Sequence, residues 1–280
     1  MKVGIGLPNA VPGTTGEQLV EWARRAEARE FSTLGTIDRV AYDNYEPLIA
    51  LAGAAAVTER IGLCTSVLLG PLRNATGLAK QCLSLNALSG GRFTLGIAVG
   101  GREDDYTESE VDFGARGRAL DAALERIEAA WAGEQVGPGL GRKPGLIIGG
   151  AADVSFRRAA RFGDGWIAGG APPDQFAGMA AKLDSAWSEA GREGAPRKLA
   201  LAYFSLGDAA EEDANAYLKN YYAWLGEETA GYIAGAAAKD AATVKQYVSA
   251  FEEAGCDELI VFPSASDPAQ VDLLADTIAR

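Results

Sequence analysis

The chain has 280 residues, of which 26 are basic and 38 acidic, giving a formal charge of −12. Nucleic acids and anionic membranes attract basic patches, so this balance disfavours both as partners. The chain contains no histidine, which excludes Ser-His-Asp and Cys-His catalysis and nearly all catalytic zinc sites. Any proton transfer must come from carboxylates, tyrosine, lysine, cysteine or a cofactor.

The three cysteines, Cys64, Cys82 and Cys256, lie within apolar runs and have no spacing typical of metal ligands. We therefore expect buried, reduced thiols and no metal site. The amino terminus leads directly into a short strand, and no apolar run approaches the roughly 18 residues of a membrane span. These features predict a cytoplasmic protein without a signal peptide.

Apolar runs that predict strands alternate along the chain with amphipathic stretches that predict helices. The predicted strands are 3–8, 33–37, 61–69, 93–99, 146–148, 166–168, 198–206 and 258–262. The predicted helices are 17–29, 47–57, one from 75 to the Gly90-Gly91 stop, 115–131, 154–162, 174–190, 209–238, 244–251 and 269–278. Eight strands alternating with helices predict a single α/β domain over residues 1–280, a (β/α)8 TIM barrel.

Active sites of such barrels lie at the carboxyl ends of the strands. The fourth predicted strand ends in Gly100-Gly101, followed by a polar loop in which Arg102 is a better phosphate partner than Glu103. Glu103 is a candidate proton donor, but it begins an acidic run that is more typical of a solvated surface.

Gly149, Gly150 and Ala151 follow the fifth predicted strand and precede a helix. The free N–H groups and the dipole of that helix favour a phosphate there, although many turns of this kind contain Gly-Gly without binding one. The glycine-rich segment 137–145 precedes a strand and opens no helix, so it is interpreted as a linker.

Several motifs together resemble the bacterial luciferase-like superfamily. They include Thr58-Glu59-Arg60-Ile61-Gly62-Leu63, Leu88-Ser89-Gly90-Gly91-Arg92, the Val99–Tyr106 segment, Gly149-Gly150 and the segment from Arg157 to Trp166. The resemblance implies a barrel enzyme that binds FMN or the deazaflavin coenzyme F420. It further implies two-electron redox chemistry, including monooxygenation, on a small organic substrate.

The resemblance also places the cofactor. It implies that the ring lies in the barrel mouth against the third strand, at a non-prolyl cis peptide near Ser66-Val67, with the phosphate on the loops after Val99 and Ile148. It suggests a homodimer. Where many members have Asp-His after the second strand, this chain has Asp38-Arg39. Mechanisms that depend on that histidine therefore do not transfer.

Other roles for these residues stay open. Asp38 is a candidate for catalysis and for cofactor contact, or it pairs with Arg39. Arg39 either supplies positive charge near a reduced flavin or forms a surface ion pair. The same two alternatives apply to Arg73. Four aromatic residues of the 209–238 helix line a pocket or, as is more usual at helical spacing, pack as core. They are Tyr217, Tyr221, Tyr222 and Trp224.

Three classes of function fit the sequence. The first is a flavin- or deazaflavin-dependent oxidoreductase, and the second is a barrel that binds flavin without turnover, which the histidine-free rim favours. The third is a Schiff-base enzyme, disfavoured because Lys198 lies at the start of its strand and so at the wrong end of the barrel. The choice between FMN and F420 is open, and the small-molecule substrate is not readable from sequence.

Overall fold

The computed structural model describes residues 1–133, 135–139 and 141–279. Leu140, within the predicted linker, lies outside these residues. The strands are β1 Lys2–Gly6, β2 Thr33–Thr36, β3 Gly62–Thr65, β4 Leu68–Leu69, β5 Phe93–Ala98, β6 Gly145–Gly149, β7 Gly165–Ala168, β8 Arg197–Phe204 and β9 Glu258–Pro263.

Helices follow the strands, and most surround them. They are α1 Gly16–Ala28, α2 Pro47–Ala55, α3 Ala75–Leu88, α4 Glu103–Glu108, α5 Arg116–Ala132, α6 Asp153–Phe162, α7 Pro173–Glu189, α8 Ala210–Tyr221, α9 Glu227–Gly235, α10 Ala241–Glu253 and α11 Ala269–Ile278. Among the described residues, no helix is both long and apolar enough to cross a bilayer.

All strand pairs are parallel, and the sheet closes on itself. The order runs β3-β2-β1-β9-β8-β7-β6-β5-β4, and β3 also pairs with β5. Because β3 and β4 both pair with β5 and follow one another, they occupy one position of an eight-position barrel. The predicted (β/α)8 barrel is therefore confirmed.

The third barrel strand differs from the continuous strand predicted over 61–69. It is interrupted at Ser66-Val67, whose peptide bond is cis, at the place that the resemblance implies. Here the Thr65 carbonyl approaches β5 so closely that a Cβ on Gly96 would lie 1.9 Å from its oxygen. The Thr65 hydroxyl accepts from the Gly96 N–H at 2.9 Å and donates to the Gly96 carbonyl at 2.7 Å. Only glycine fits at this crossing.

Alternate residues of the strands divide between two apolar clusters, as the period of two requires. In β6, Leu146 and Ile148 pack toward the helices, whereas Ile147 belongs to an inner cluster with Leu201 and Phe262. The inner cluster also contains buried residues of α8, which are Ala214, Tyr217, Leu218 and Tyr221. Helix α8 therefore packs onto the barrel interior rather than around its outside.

The single helix predicted over 209–238 is wrong in its continuity. The segment forms α8, a 3-10 turn at Ala223–Leu225 and α9. Gly226, with φ of 88°, separates the turn from α9, in a conformation that other residues rarely adopt. We call α8, the turn and α9 together the aromatic cap. The three cysteines are buried and free, as predicted.

The close crossing at Gly96 generates a stability prediction. Gly96→Ala would force the Thr65 carbonyl away from β5, and we expect a loss of about 2–4 kcal/mol in the free energy of unfolding, as for other severe steric clashes. Gly178→Ala is the matched control, because Gly178 lies within α7 and its added Cβ meets nothing within 4 Å. It should stabilise by up to about 1 kcal/mol. Urea denaturation measures the free energy of unfolding of both variants. Equal midpoints would show that the close crossing at Gly96 does not limit stability.

Candidate active site

Asp38, at the carboxyl end of β2, is 4% exposed and fully engaged by protein groups. Its Oδ2 accepts from the Leu69 N–H at 2.9 Å and from Arg73 at 2.9 Å. Arg73 also pairs with Glu46 at 2.7 Å, and Glu46 caps the start of α2. Burial raises the pKa of Asp38, and the charge of Arg73 partly opposes that shift. Asp38 therefore anchors the segment just after Ser66-Val67.

Arg39 forms a second buried ion pair. Its Nε donates to Asp105 at 2.7 Å and its Nη2 donates to Asp104 at 2.7 Å. The other oxygen of Asp105 accepts from the N–H groups of Val40 and Ala41, each at 2.8 Å. This network binds the loop after β2 to α4. The predicted polar loop over 100–105 is therefore partly helical, and Asp38 does not pair with Arg39.

Arg102 precedes α4 and is 9% exposed. Its guanidinium carbon lies 4.2 Å from the ring centre of Tyr221, 5.6 Å from that of Tyr222 and 5.2 Å from that of Trp224. Among the described residues no carboxylate forms an ion pair with it. Burial lowers the pKa of Arg102, but a guanidinium stays protonated in proteins. A buried cation held only by ring faces is suited to bind an anion.

Glu103, beside Arg102, is exposed at the first turn of α4. The neighbouring glycines, Gly100 and Gly101, precede Arg102, and a Cβ on Gly101 would lie 3.5 Å from Trp224 of the aromatic cap. The structure therefore brings Gly101 and Arg102 together beneath the cap and leaves Glu103 on the solvated side.

Ser66 and Val67 line the inner side of the barrel near its mouth. The Ser66 hydroxyl is buried beside the Cys64 thiol, which forms only weak hydrogen bonds, and it has no stronger hydrogen-bond partner among the described residues. A Cβ on Gly149 would lie 3.0 Å from Val67. Ser264, after β9, is a second buried hydroxyl without a partner. Such orphaned groups fit the heteroatoms of a polar ring.

Gly150 and Ala151 form an exposed turn between β6 and α6. The Trp166 indole donates to the Gly150 carbonyl at 2.6 Å and fixes the turn. The N-cap of α6, Ala152, provides no side-chain hydrogen bond. The N–H groups of Asp153 and Val154 therefore have no side-chain acceptor among the described residues, whereas the Ser155 N–H donates to the Ala152 carbonyl at 2.7 Å. Phosphate binding at this turn stays a prediction.

The aromatic cap covers the mouth with contacting rings. Tyr221 packs against Tyr42 with ring centres 5.3 Å apart and against Tyr222 at 5.0 Å. The hydroxyls of Tyr203 and Tyr222 form a hydrogen bond of 2.8 Å. The expectation that these aromatic residues pack as core holds for Tyr217 and Tyr221, whereas Tyr222 lines a cavity of about 290 Å³.

Sequence reasoning missed two groups in this site. Asp105 belongs to the acidic run that predicts a solvated surface, yet it is 2% exposed. The six residues of α4 are too few to show a buried face by periodicity. Tyr203 lies within an apolar strand and belongs to no motif. The only sequence pattern that indicates its position is the alternation of β8, which places Tyr203 on the inner side with Leu201.

These observations describe a parallel barrel whose binding groups gather at the carboxyl ends of its strands, the usual place of the active site in this fold. The family model described as luciferase-like monooxygenase matches residues 1–271. The chain therefore belongs to the luciferase-like monooxygenase family, which confirms the resemblance seen in its sequence.

Individual relatives are more distant. An uncharacterized protein of Mycobacterium tuberculosis is 32% identical over 161 residues, which are 52% of this chain and 56% of the relative. The match thus spans little more than half the length of that curated protein.

Solved structures share the fold at low identity. The monooxygenase RslO1 of Streptomyces bottropensis superposes with a TM-score of 0.83 at 20% identity, covering 99% of this chain and 98% of the other. An F420-dependent secondary alcohol dehydrogenase, solved with an F420-acetone adduct, gives 0.82 at 16% identity, with coverage of 99% and 98%. A type II Baeyer-Villiger monooxygenase of Pseudomonas putida, solved with FMN, gives 0.75 at 18% identity, with coverage of 100% and 97%.

The anchoring role of Asp38 predicts a stability change. Asp38→Asn keeps the shape of the side chain but removes the charge that Arg73 faces, and we expect a loss of about 1.5–3 kcal/mol in the free energy of unfolding. Asp276→Asn is the control, because Asp276 pairs with Arg29 at the surface and is 70% exposed. Asp276→Asn should lower the free energy of unfolding by less than about 1 kcal/mol. If urea denaturation gives similar losses for the two variants, Asp38 is not an anchor.

Proposed function

We propose that this protein is an oxidoreductase that uses FMN or the deazaflavin coenzyme F420 for two-electron chemistry on a small organic substrate. The observation that carries the proposal is Arg102, a buried cation without an ion-pair partner among the described residues. It lies after β5, and the open amino terminus of α6 lies after the neighbouring strand β6. An arginine and free helix N–H groups at adjacent strand ends suit the phosphate group that both cofactors carry.

The residues of the mouth fit the rest of such a cofactor. Val67 and the orphaned Ser66 hydroxyl are in place to meet a ring at the end of the third barrel strand, and the Gly100-Gly101 and Gly149-Gly150 pairs lie where β5 and β6 end, beside the proposed path of the chain that joins ring and phosphate. When bound, the flavin-type ring would supply the electron transfer. The protein would bind the phosphate, orient the ring and exclude water beneath the aromatic cap.

Asp38 and Arg39 take positioning roles in this proposal rather than the catalytic ones expected from sequence. Both are buried and saturated by partners within the protein, so neither is free to exchange a proton with a substrate. Glu103 is solvated, which also disfavours it as a proton donor.

A flavin-binding barrel without turnover is the second candidate. It is favoured by the absence of histidine and by the engagement of Asp38 and Arg39 in ion pairs. A cytoplasmic location and a homodimer remain predictions; sedimentation equilibrium of the purified chain tests the second.

Titration with FMN and with F420 tests the proposal directly. We expect one of them to bind with a micromolar dissociation constant or better, measured by flavin fluorescence or absorbance. Reduction of the bound cofactor by candidate substrates, or oxygen uptake by the reduced form, then separates an enzyme from a binding protein. If neither cofactor binds at micromolar concentration, the oxidoreductase proposal fails.

Arg102 gives a sharper prediction. Arg102→Met should weaken FMN binding by about 10- to 100-fold, because a charge-assisted hydrogen bond contributes about 1.5–3 kcal/mol. Riboflavin, which lacks the phosphate, should bind the wild type and the variant with similar affinity. Equal weakening for both ligands would place Arg102 elsewhere than at the phosphate. Arg60→Met controls for the loss of one positive charge, because Arg60 is exposed and lies just before β3, at the opposite end of the barrel.

A further inference from the structure

The cavity of about 290 Å³ beside the aromatic cap has no role in holding the cofactor phosphate. Four segments surround it: the loop 169–173 after β7, the end of β8, the cap, and α10. Its lining is Gly169, Gly170, Ala171, Pro172, Pro173, Leu201, Ala202, Tyr203, Tyr222, Leu225, Tyr232, Ile233, Ala236, Ala237, Tyr247 and Phe251. It therefore opens at the same end of the barrel as the candidate cofactor site.

None of these lining side chains carries a charge. A charged ligand would lose its hydration on entry without gaining an ionic partner, which is costly. The adjacent helix α7 offers fewer donors than an ordinary helix start, because Pro172 and Pro173, its N-cap and first residue, have no N–H to donate. The starts of α6 and α7 thus differ: the first turn of α6 has free N–H donors, whereas α7 begins with two prolines.

Besides the hydroxyl of the exposed Tyr232, one hydrogen-bond donor faces this apolar space from the barrel side. Tyr203 and Tyr222 both line the cavity, and their hydroxyls are bonded to each other at 2.8 Å. Two hydroxyls carry two protons and share only one, so whichever way the bond is oriented, one proton stays available. Tyr247 has no such spare proton, because its hydroxyl donates to the Ala236 carbonyl at 2.6 Å.

The size of the cavity limits its occupant. Its volume of about 290 Å³ is about twice that of the roughly 150 Å³ engineered cavity that binds benzene. A molecule of one or two rings fits, and a long chain or a nucleotide does not.

We propose that this cavity binds the organic substrate, and that the substrate is an uncharged, largely apolar molecule of one or two rings with a hydrogen-bond acceptor such as a carbonyl oxygen. The Tyr203–Tyr222 pair donates to that acceptor. Calling the occupant a substrate rests on the proposed function; the chemistry of the ligand rests on the cavity alone.

Three bicyclic probes test this class: 1-tetralone, tetralin without the carbonyl, and the anion 2-naphthoate. Calorimetric titration is carried out on the full chain, both cofactor-free and reconstituted with FMN. We expect 1-tetralone to bind most tightly, tetralin about fivefold more weakly, as for one lost hydrogen bond, and 2-naphthoate at least about tenfold more weakly because its charge is unpaired.

Variants locate the binding. The double variant Tyr203→Phe/Tyr222→Phe should weaken 1-tetralone about fivefold and leave tetralin unchanged, because either single variant keeps one hydroxyl proton. Tyr217→Phe/Tyr221→Phe is the matched control, because both residues are buried neighbours that do not line the cavity. Ala236→Phe at the exposed lip should weaken both ligands, whereas Glu228→Phe on the same helix should weaken neither.

The proposal is overturned if 2-naphthoate binds as tightly as 1-tetralone, if Tyr203→Phe/Tyr222→Phe and Tyr217→Phe/Tyr221→Phe have equal effects, or if 1-tetralone does not bind. Failure of the proposed function is distinguishable from these results. FMN and F420 would then not bind, while 1-tetralone would still bind the cofactor-free chain with the expected dependence on the Tyr203–Tyr222 pair.

Discussion

Two buried ion pairs that follow one another in the chain hold the rim of the barrel. Asp38 pairs with Arg73 and fixes the backbone just after Ser66-Val67, and Arg39 pairs with Asp105 and fixes α4. Burying these charges is costly unless they are paired and hydrogen-bonded. Asp38 and Asp105 are thereby engaged, and Arg102 is left between ring faces without an ion-pair partner among the described residues. Arg102 is therefore the buried cation of the mouth on which the proposed anion site depends.

The mouth is divided by the chemistry of its helix starts. The chain enters α6 through Gly150, Ala151 and Ala152, all of which keep their N–H groups, and it enters α7 through two prolines. Adjacent strands therefore lead into one polar and one apolar subsite. In the proposed function this difference would add to the charge of Arg102 in separating the anionic end of a cofactor from an uncharged substrate.

Much of the fold followed from sequence because eight apolar runs alternate with amphipathic helices, and each pattern extends over enough residues to be read locally. The turn at Gly149–Ala151 is predictable for the same reason, because it lies between a clear strand and a clear helix; that it binds a phosphate stays a prediction. Asp105 was misjudged because its burial depends on Arg39, which is distant in sequence. The break at Gly226 was missed because aromatic spacing in the cap continues across it. The Tyr203–Tyr222 hydrogen bond forms because the cap folds back over the barrel, and no local sequence pattern predicts that contact.

The phenols of this mouth stay protonated across the neutral range. Burial raises the pKa of Tyr203, Tyr221 and Tyr222 above the ordinary value for tyrosine, so these hydroxyls remain donors, and Arg102 stays charged. The chain has no histidine. Asp38 is different, because burial raises its pKa although Arg73 and the Leu69 N–H favour its ionised form. A pH dependence of the mouth is therefore expected from Asp38, the cofactor or the substrate, and not from these phenols or from Arg102.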